Sequence, residues 1–111
     1  MNTFDLKNKA IHSRRGESLL GFHETGSHAC YMIYGTMKAK EKGRQVNPGA
    51  GHEEIVLAAK EDLEVTGPHA GTLKEGLAFL IQGDQECFLE NRGESDAIYI
   101  IAGGHSGVDR H

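Results

Sequence analysis

The amino-acid sequence predicts an all-β fold, a barrel or sandwich of short strands. Three observations predict it. Short runs rich in β-branched, aromatic and leucine side chains recur along the chain, as in LAFLIQ and AIYIIA. Turn residues separate these runs every eight to twelve positions, and the 15 glycines supply most of them. No segment sustains the 3.6-residue period of an amphipathic helix. The length of 111 residues suits one domain around one core.

Residues 1–16 are polar and read as an N-terminal arm or short edge element, with the barrel taking 17–111. A strand starts near Cys30, where CYMIYGTMKAK combines β-forming residues with alternation at Met37, Lys38, Ala39 and Lys40. EKGRQV is a turn and a further strand. Asn47 to Gly51 is a loop punctuated by Pro48, Gly49 and Gly51. EIVLAA and LEVTG follow as two strands. Their junction, VLAAKEDLEV, has helix-forming composition, but Glu61 and Asp62 interrupt the apolar run and LEVTG alternates as a strand does. PHAGTL is a loop. LAFLIQ, ECFLEN and AIYIIAGG are the remaining strands, separated by turns at Gly83-Asp84 and at Arg92 to Ser95.

Composition excludes several classes of function. The net charge of −4 and pI of about 5.9 offer no basic surface for nucleic acid. No apolar run approaches the ~20 residues of a membrane span, and the N-terminus lacks the apolar centre of a secretory signal. Cys30 and Cys87 form neither a C-x-x-C motif nor a disulfide framework, so the expected location is the cytoplasm. Barrel edges left open favour self-pairing, so a homodimer is expected through the N-terminal strand or AIYIIA.

HEEIVLAAKEDLEVTG, LKEGLAFLIQGDQECFLENRG and AIYIIAGGH together resemble a small single-domain cupin over roughly residues 30 to 105. The resemblance implies an antiparallel jelly-roll barrel. It also implies two motifs: His-x-His, a glutamate and a glycine seven residues on; then glycine, proline, glycine, histidine and asparagine. The family's three histidines and glutamate hold a divalent transition metal. Here Glu54 takes the glutamate position, Glu61 stands for the glycine, and Asn47 to Gly51 contain no histidine. In the second motif Gly76 and Asn91 match, while Gln82, Asp84 and Cys87 stand for proline, glycine and histidine. A second register runs through Gly16, Phe22, Glu24, His28 and Gly35, with NPGAGH as the later motif. It leaves residues 53–111 as an added half-barrel, which suits one small domain less well.

The candidate ligand-binding residues are therefore His52, Glu54, Val56, Cys87 and Asn91. On a strand, His52, Glu54, Val56 and Ala58 share one face, with Val56 and Ala58 lining a cavity behind Glu54. Phe79 and Ile81 read as core or cavity wall. Cys87 reads either as a small buried side chain or as a substitute ligand. His69 reads as a solvated loop residue, and His105 and His111 as tail residues. The leading expectation is a domain that binds a small polar or anionic molecule without a tightly bound metal. The alternative is a metal-dependent isomerase, decarboxylase or dioxygenase with His52, Glu54 and Cys87 as ligands, helped by His23 or His28.

Overall fold

The computed structural model describes residues 1–106. The elements, in chain order, are α1 (Leu6–Ile11), β1 (Glu17–Leu20), α2 (Phe22–Thr25), β2 (Cys30–Met37), β3 (Arg44–Val46), β4 (His52–Lys60), β5 (Leu63–Thr66), β6 (Gly71–Leu73), β7 (Ala78–Gln82), β8 (Cys87–Glu90) and β9 (Ala97–His105). Two antiparallel sheets face each other. The larger has the order β1-β2-β9-β4-β7 and the smaller the order β3-β8-β5-β6. This is the expected jelly roll. Among the described residues no helix is long and apolar enough to cross a membrane.

Strand alternation places the core between the sheets. Met37, Val56, Ala58, Ile81, Ala97, Tyr99 and Ile101 point inward from the larger sheet. Val46, Leu63, Val65, Leu73, Cys87 and Leu89 meet them from the smaller one. VLAAKEDLEV is strand, turn and strand, as its alternation predicts. Its pairing with β9 shifts register between Ala58 and Lys60, and Glu61 then turns the chain with a positive φ of 69°. The position where the family motif has glycine thus keeps the left-handed backbone without the glycine.

Three elements differ from expectation. Residues 6–11 of the polar arm form a helix of six residues, too short to show a period. Its stabilisation comes from tertiary packing and a cap: Asp5 accepts from the Asn8 amide at 3.0 Å, Ala10 is fully buried, and Ser18 donates to the Leu6 carbonyl at 2.7 Å. Phe22–Thr25 makes one helical turn, with Glu24 accepting from the Gly21 amide at 2.7 Å. The PHAGTL loop contains β6, whose Leu73 is buried. The self-pairing edge expected in AIYIIA is also corrected. That strand is β9, bonded on both sides by β2 and β4.

Candidate functional site

Glu54 is the centre of the site. It lies on the inward face of β4 and is only 5% exposed. Across the sheet, Glu54 sits opposite Gly103 of β9, and Gly103 sits opposite Tyr31 of β2. A side chain at 103 would block the path between them, since a Cβ there would lie 2.2 Å from the Tyr31 ring. Glycine leaves that space open, and Tyr31 reaches across β9 to donate to Glu54 Oε2 at 2.5 Å.

The same device occurs a second time, in reverse. Tyr99 of β9 lies over Gly35 of β2, where a Cβ would fall 2.1 Å from the ring. It reaches Glu17 of β1 and donates to Glu17 Oε2. Both halves are written Tyr-x-x-x-Gly, as Tyr31 to Gly35 and Tyr99 to Gly103, and the antiparallel register sets each tyrosine opposite the other's glycine. Arg44 completes the inner pair, donating to Tyr99 Oη at 2.6 Å, to the Thr36 carbonyl at 3.1 Å and to Glu41 Oε2 at 2.8 Å. A buried guanidinium is tolerable only when paired in this way. Tyr31, Glu17, Tyr99 and Arg44 were not singled out from the sequence. The repeated Tyr-x-x-x-Gly spacing was the signal available for the tyrosines.

Glu54 and Glu17 face a cleft of about 220 Å³ between the sheets, with Ile33, Val46 and Ile101 as its apolar wall and Arg15, Gln45 and Asn47 also lining it. Burial raises the Glu54 carboxyl above its ordinary range. The Tyr31 hydrogen bond pulls it back, the Glu17 charge raises it, and His52 lowers it. Burial, then the hydrogen bond and charge of Glu54, push the Tyr31 phenol up, so it remains a donor at neutral pH. Among the described residues, no group donates a hydrogen bond to Glu54 Oε1.

The other sequence candidates divide. His52 lies on the same strand face as Glu54, at the barrel rim. Its Nδ1 is 3.2 Å from the Ala50 carbonyl, and its ring stands 4.9 Å from that of His105 and 6.2 Å from that of Tyr31. His105 is therefore the end of β9 and not part of a tail; His111 lies outside the described residues. Val56 is fully buried in the core and does not line the cleft, which ends at Glu54 instead of continuing behind it. Asn91 is also corrected. Its amide donates to the carbonyls of Met37, Lys38 and Ser95, and its carbonyl accepts from Gly93, so the whole side chain is spent clasping loops. His23 is exposed on α2, and His28 stacks on Phe22 at 3.9 Å. His69 is exposed, as expected, 3.3 Å from Gln85.

The residues present do not fit the divalent metal that the family resemblance implies. Burial, and then the charge of Glu54, push the Cys87 thiol up to about 11, so the protein's own groups do not activate it as a thiolate. Among the described residues no three His, Cys, Asp or Glu side chains converge as a metal site requires. A larger hollow of about 380 Å³ is lined by Glu61, Asp62, Glu64 and Glu75. Its carboxylates brace the turn: Asp62 accepts from the Glu75 amide, Glu75 from the Glu61 amide, and Glu64 from Thr72.

No family model and no curated protein matches the chain. Solved structures do. TT1209 from Thermus thermophilus superposes with a TM-score of 0.69 at 15% identity, covering 95% of this chain and 98% of that one. An oxalate oxidase in complex with glycolate gives 0.68 at 16% identity, covering 85% of this chain and 53% of that one. A cupin domain, that of Schizosaccharomyces pombe Cnp3, gives 0.67 at 12% identity, covering 84% of this chain and 62% of that one. At these identities the likeness concerns the fold. The chain has the cupin fold, an RmlC-like jelly roll with its inner carboxylates held by tyrosines.

Proposed function

We propose that this domain binds a small molecule in the cleft over Glu54, and that it does so without a tightly bound metal. The observation that carries the reading is Glu54 itself: a 5%-exposed carboxylate with Oε2 held by Tyr31 and Oε1 without a donor among the described residues, lining a cleft with an apolar wall. A buried acceptor left open is costly unless a ligand or water supplies the missing donor. Glu17 puts a second carboxylate in the same cleft. Together the two disfavour an anionic ligand at the inner end, against the broader expectation from sequence. They favour a hydroxyl-rich or ammonium-bearing molecule whose donors meet Glu54 and Glu17 and whose carbon skeleton meets Ile33, Val46 and Ile101. Arg15 suits an acceptor at the ligand's other end. The cleft is smaller than the ~300–1,000 Å³ typical of drug-sized sites, so the ligand is a small metabolite.

The test is a thermal-shift screen with probes of matched size: 1,4-diaminobutane and erythritol against succinate and inorganic phosphate. The amine or the polyol should raise the melting temperature of the wild type and leave Glu54→Gln unshifted when the probe is an amine. Stabilisation by succinate or phosphate alone would contradict the reading.

A further inference from the structure

A second hollow, of about 230 Å³, lies between helix α1 and the five-stranded sheet, on the side of the sheet away from Glu54. Helix α1 contributes Lys7 and Ile11, four residues apart and so on one helix face. The sheet contributes Tyr34 and Thr36 of β2 and Ile98 of β9, and Lys38, Lys60 and Asp96 also line the hollow. Tyr34 and Ile98 are half-buried, while Ile11 remains 56% exposed on a helix that packs against the sheet.

Each lysine reaches the hollow by a separate device. On β4 the register passes over Ala59: Ala58 pairs with Tyr99, and Lys60 pairs with Ile98. Strict alternation from Glu54, Val56 and Ala58 would turn Lys60 inward, and the bulge turns it to the outer side instead. Lys38 has its backbone pinned at both ends. Its amide donates to Glu41 at 2.9 Å, and its carbonyl accepts from the buried Asn91 at 3.1 Å. Asn91 also donates to the Ser95 carbonyl at 2.8 Å, next to Asp96. Lys7 is carried by α1, which Ala10 and the Ser18–Leu6 hydrogen bond fix to the sheet. Among the described residues none of Lys7, Lys38, Lys60 and Asp96 takes part in an ion pair. Three positive charges against one negative thus surround an apolar floor, in a chain whose net charge is −4.

We propose that this hollow binds a small amphipathic anion, with a carboxylate or phosphate head among Lys7, Lys38 and Lys60 and an apolar chain against Ile11, Tyr34 and Ile98. The sign of the ligand follows from the lysines, which lack protein partners among the described residues and attract an anion through a wall of low dielectric. Its apolar part follows from the isoleucines and Tyr34, which a bare inorganic anion would leave wet. Its size follows from the volume: at the ~30 Å³ that a water occupies in the liquid, the hollow takes about eight non-hydrogen atoms, as in hexanoate. A whole membrane lipid exceeds that. The Glu54 cleft selects against anions and lies on the other side of the sheet, so the two sites stand or fall separately.

The experiment is a ligand-observed NMR titration of the full chain with hexanoate, hexyl phosphate, hexylamine, 1-hexanol and inorganic phosphate. Hexanoate or hexyl phosphate should saturate with a Kd of ~1 mM or tighter. Hexylamine, 1-hexanol and inorganic phosphate should bind at least about tenfold more weakly, since each lacks the charge or the chain. Lys60→Met keeps the length of the side chain and removes its charge. It should weaken the anion by about threefold to tenfold with the fold intact by circular dichroism. Lys42→Met, which removes a lysine that does not line the hollow, should change nothing, and neither should Glu54→Gln. No saturation by either amphipathic anion at ~10 mM overturns the proposal. So does hexanol or inorganic phosphate binding as tightly as the amphipathic anions, which would mean that charge or chain is not recognised. Equal losses in Lys60→Met and Lys42→Met would show general charge attraction only, and loss in Glu54→Gln would move the anion to the other cleft; either result overturns it as well.

Discussion

Replacing Tyr31 with Phe removes one hydroxyl and leaves the ring over Gly103, so the packing survives and the hydrogen bond to Glu54 does not. Its cost should depend on pH. Burial holds the Glu54 carboxyl above its ordinary range, and the Tyr31 bond is what pulls it down most. A carboxyl raised in the folded state binds its proton more tightly there than in the unfolded chain. Stability from this group is therefore highest below the unfolded value, about 4.3, and falls as pH rises through the folded one. Without the hydroxyl the folded value rises further, and the fall becomes larger. A hydrogen bond to a charged group contributes about 1.5–3 kcal/mol, one between neutral groups about 0.5–1.5. At roughly 4 °C per kcal/mol for a chain of this size, the variant should melt about 6–12 °C lower at pH 8 and about 2–6 °C lower at pH 4. Thermal melts at the two pH values read this directly. Equal losses at both, or no loss at pH 8, would refute the claim that Tyr31 supports an ionised Glu54.

Further outcomes follow from the same geometry. Glu54→Gln removes a buried charge while keeping an acceptor for Tyr31, so its melting temperature should exceed that of the wild type at pH 8 and converge with it near pH 4. Gly103→Ala puts a methyl 2.2 Å from the Tyr31 ring and should cost about 1–3 kcal/mol in urea unfolding. The cost should shrink in a Tyr31→Ala background, because the clash needs the ring. Glu61→Gly relieves a left-handed backbone at φ 69° and should add about 0.5–1 kcal/mol to the same unfolding free energy. The Glu61 amide, which donates to Glu75, is retained in that variant.

The strands that position the site were legible because one of their faces alternates. Glu54, Val56 and Ala58 on β4, and Cys87 and Leu89 on β8, all point inward as the period of two requires. Glu54 stood out by its motif position, and it is one of the residues lining the cleft. What lay opposite it was not legible. Tyr31 and Gly103 are 72 positions apart in the sequence, and their meeting depends on the β2–β9 register, which no local pattern encodes. Asn91 matched its motif position, but a motif match does not reveal whether an amide faces a ligand or clasps loops. The α1 helix was hidden because its stability comes from Asp5 and from Ala10 packed on the sheet, both invisible to periodicity over six residues. The apolar outer face was visible in AIYIIA, yet only the strand order shows that this strand is central and presents a face, not an edge.

The most direct test of the account is calorimetric titration of 1,4-diaminobutane and of erythritol into full-length protein, before and after treatment with a chelator. The account predicts saturable heat from at least one probe, one site per chain, unchanged by the chelator and reduced in Tyr31→Phe. Heat that disappears on chelation, together with a stoichiometric metal released by it, would contradict the central claim that Glu54 and Tyr31 recognise the ligand themselves.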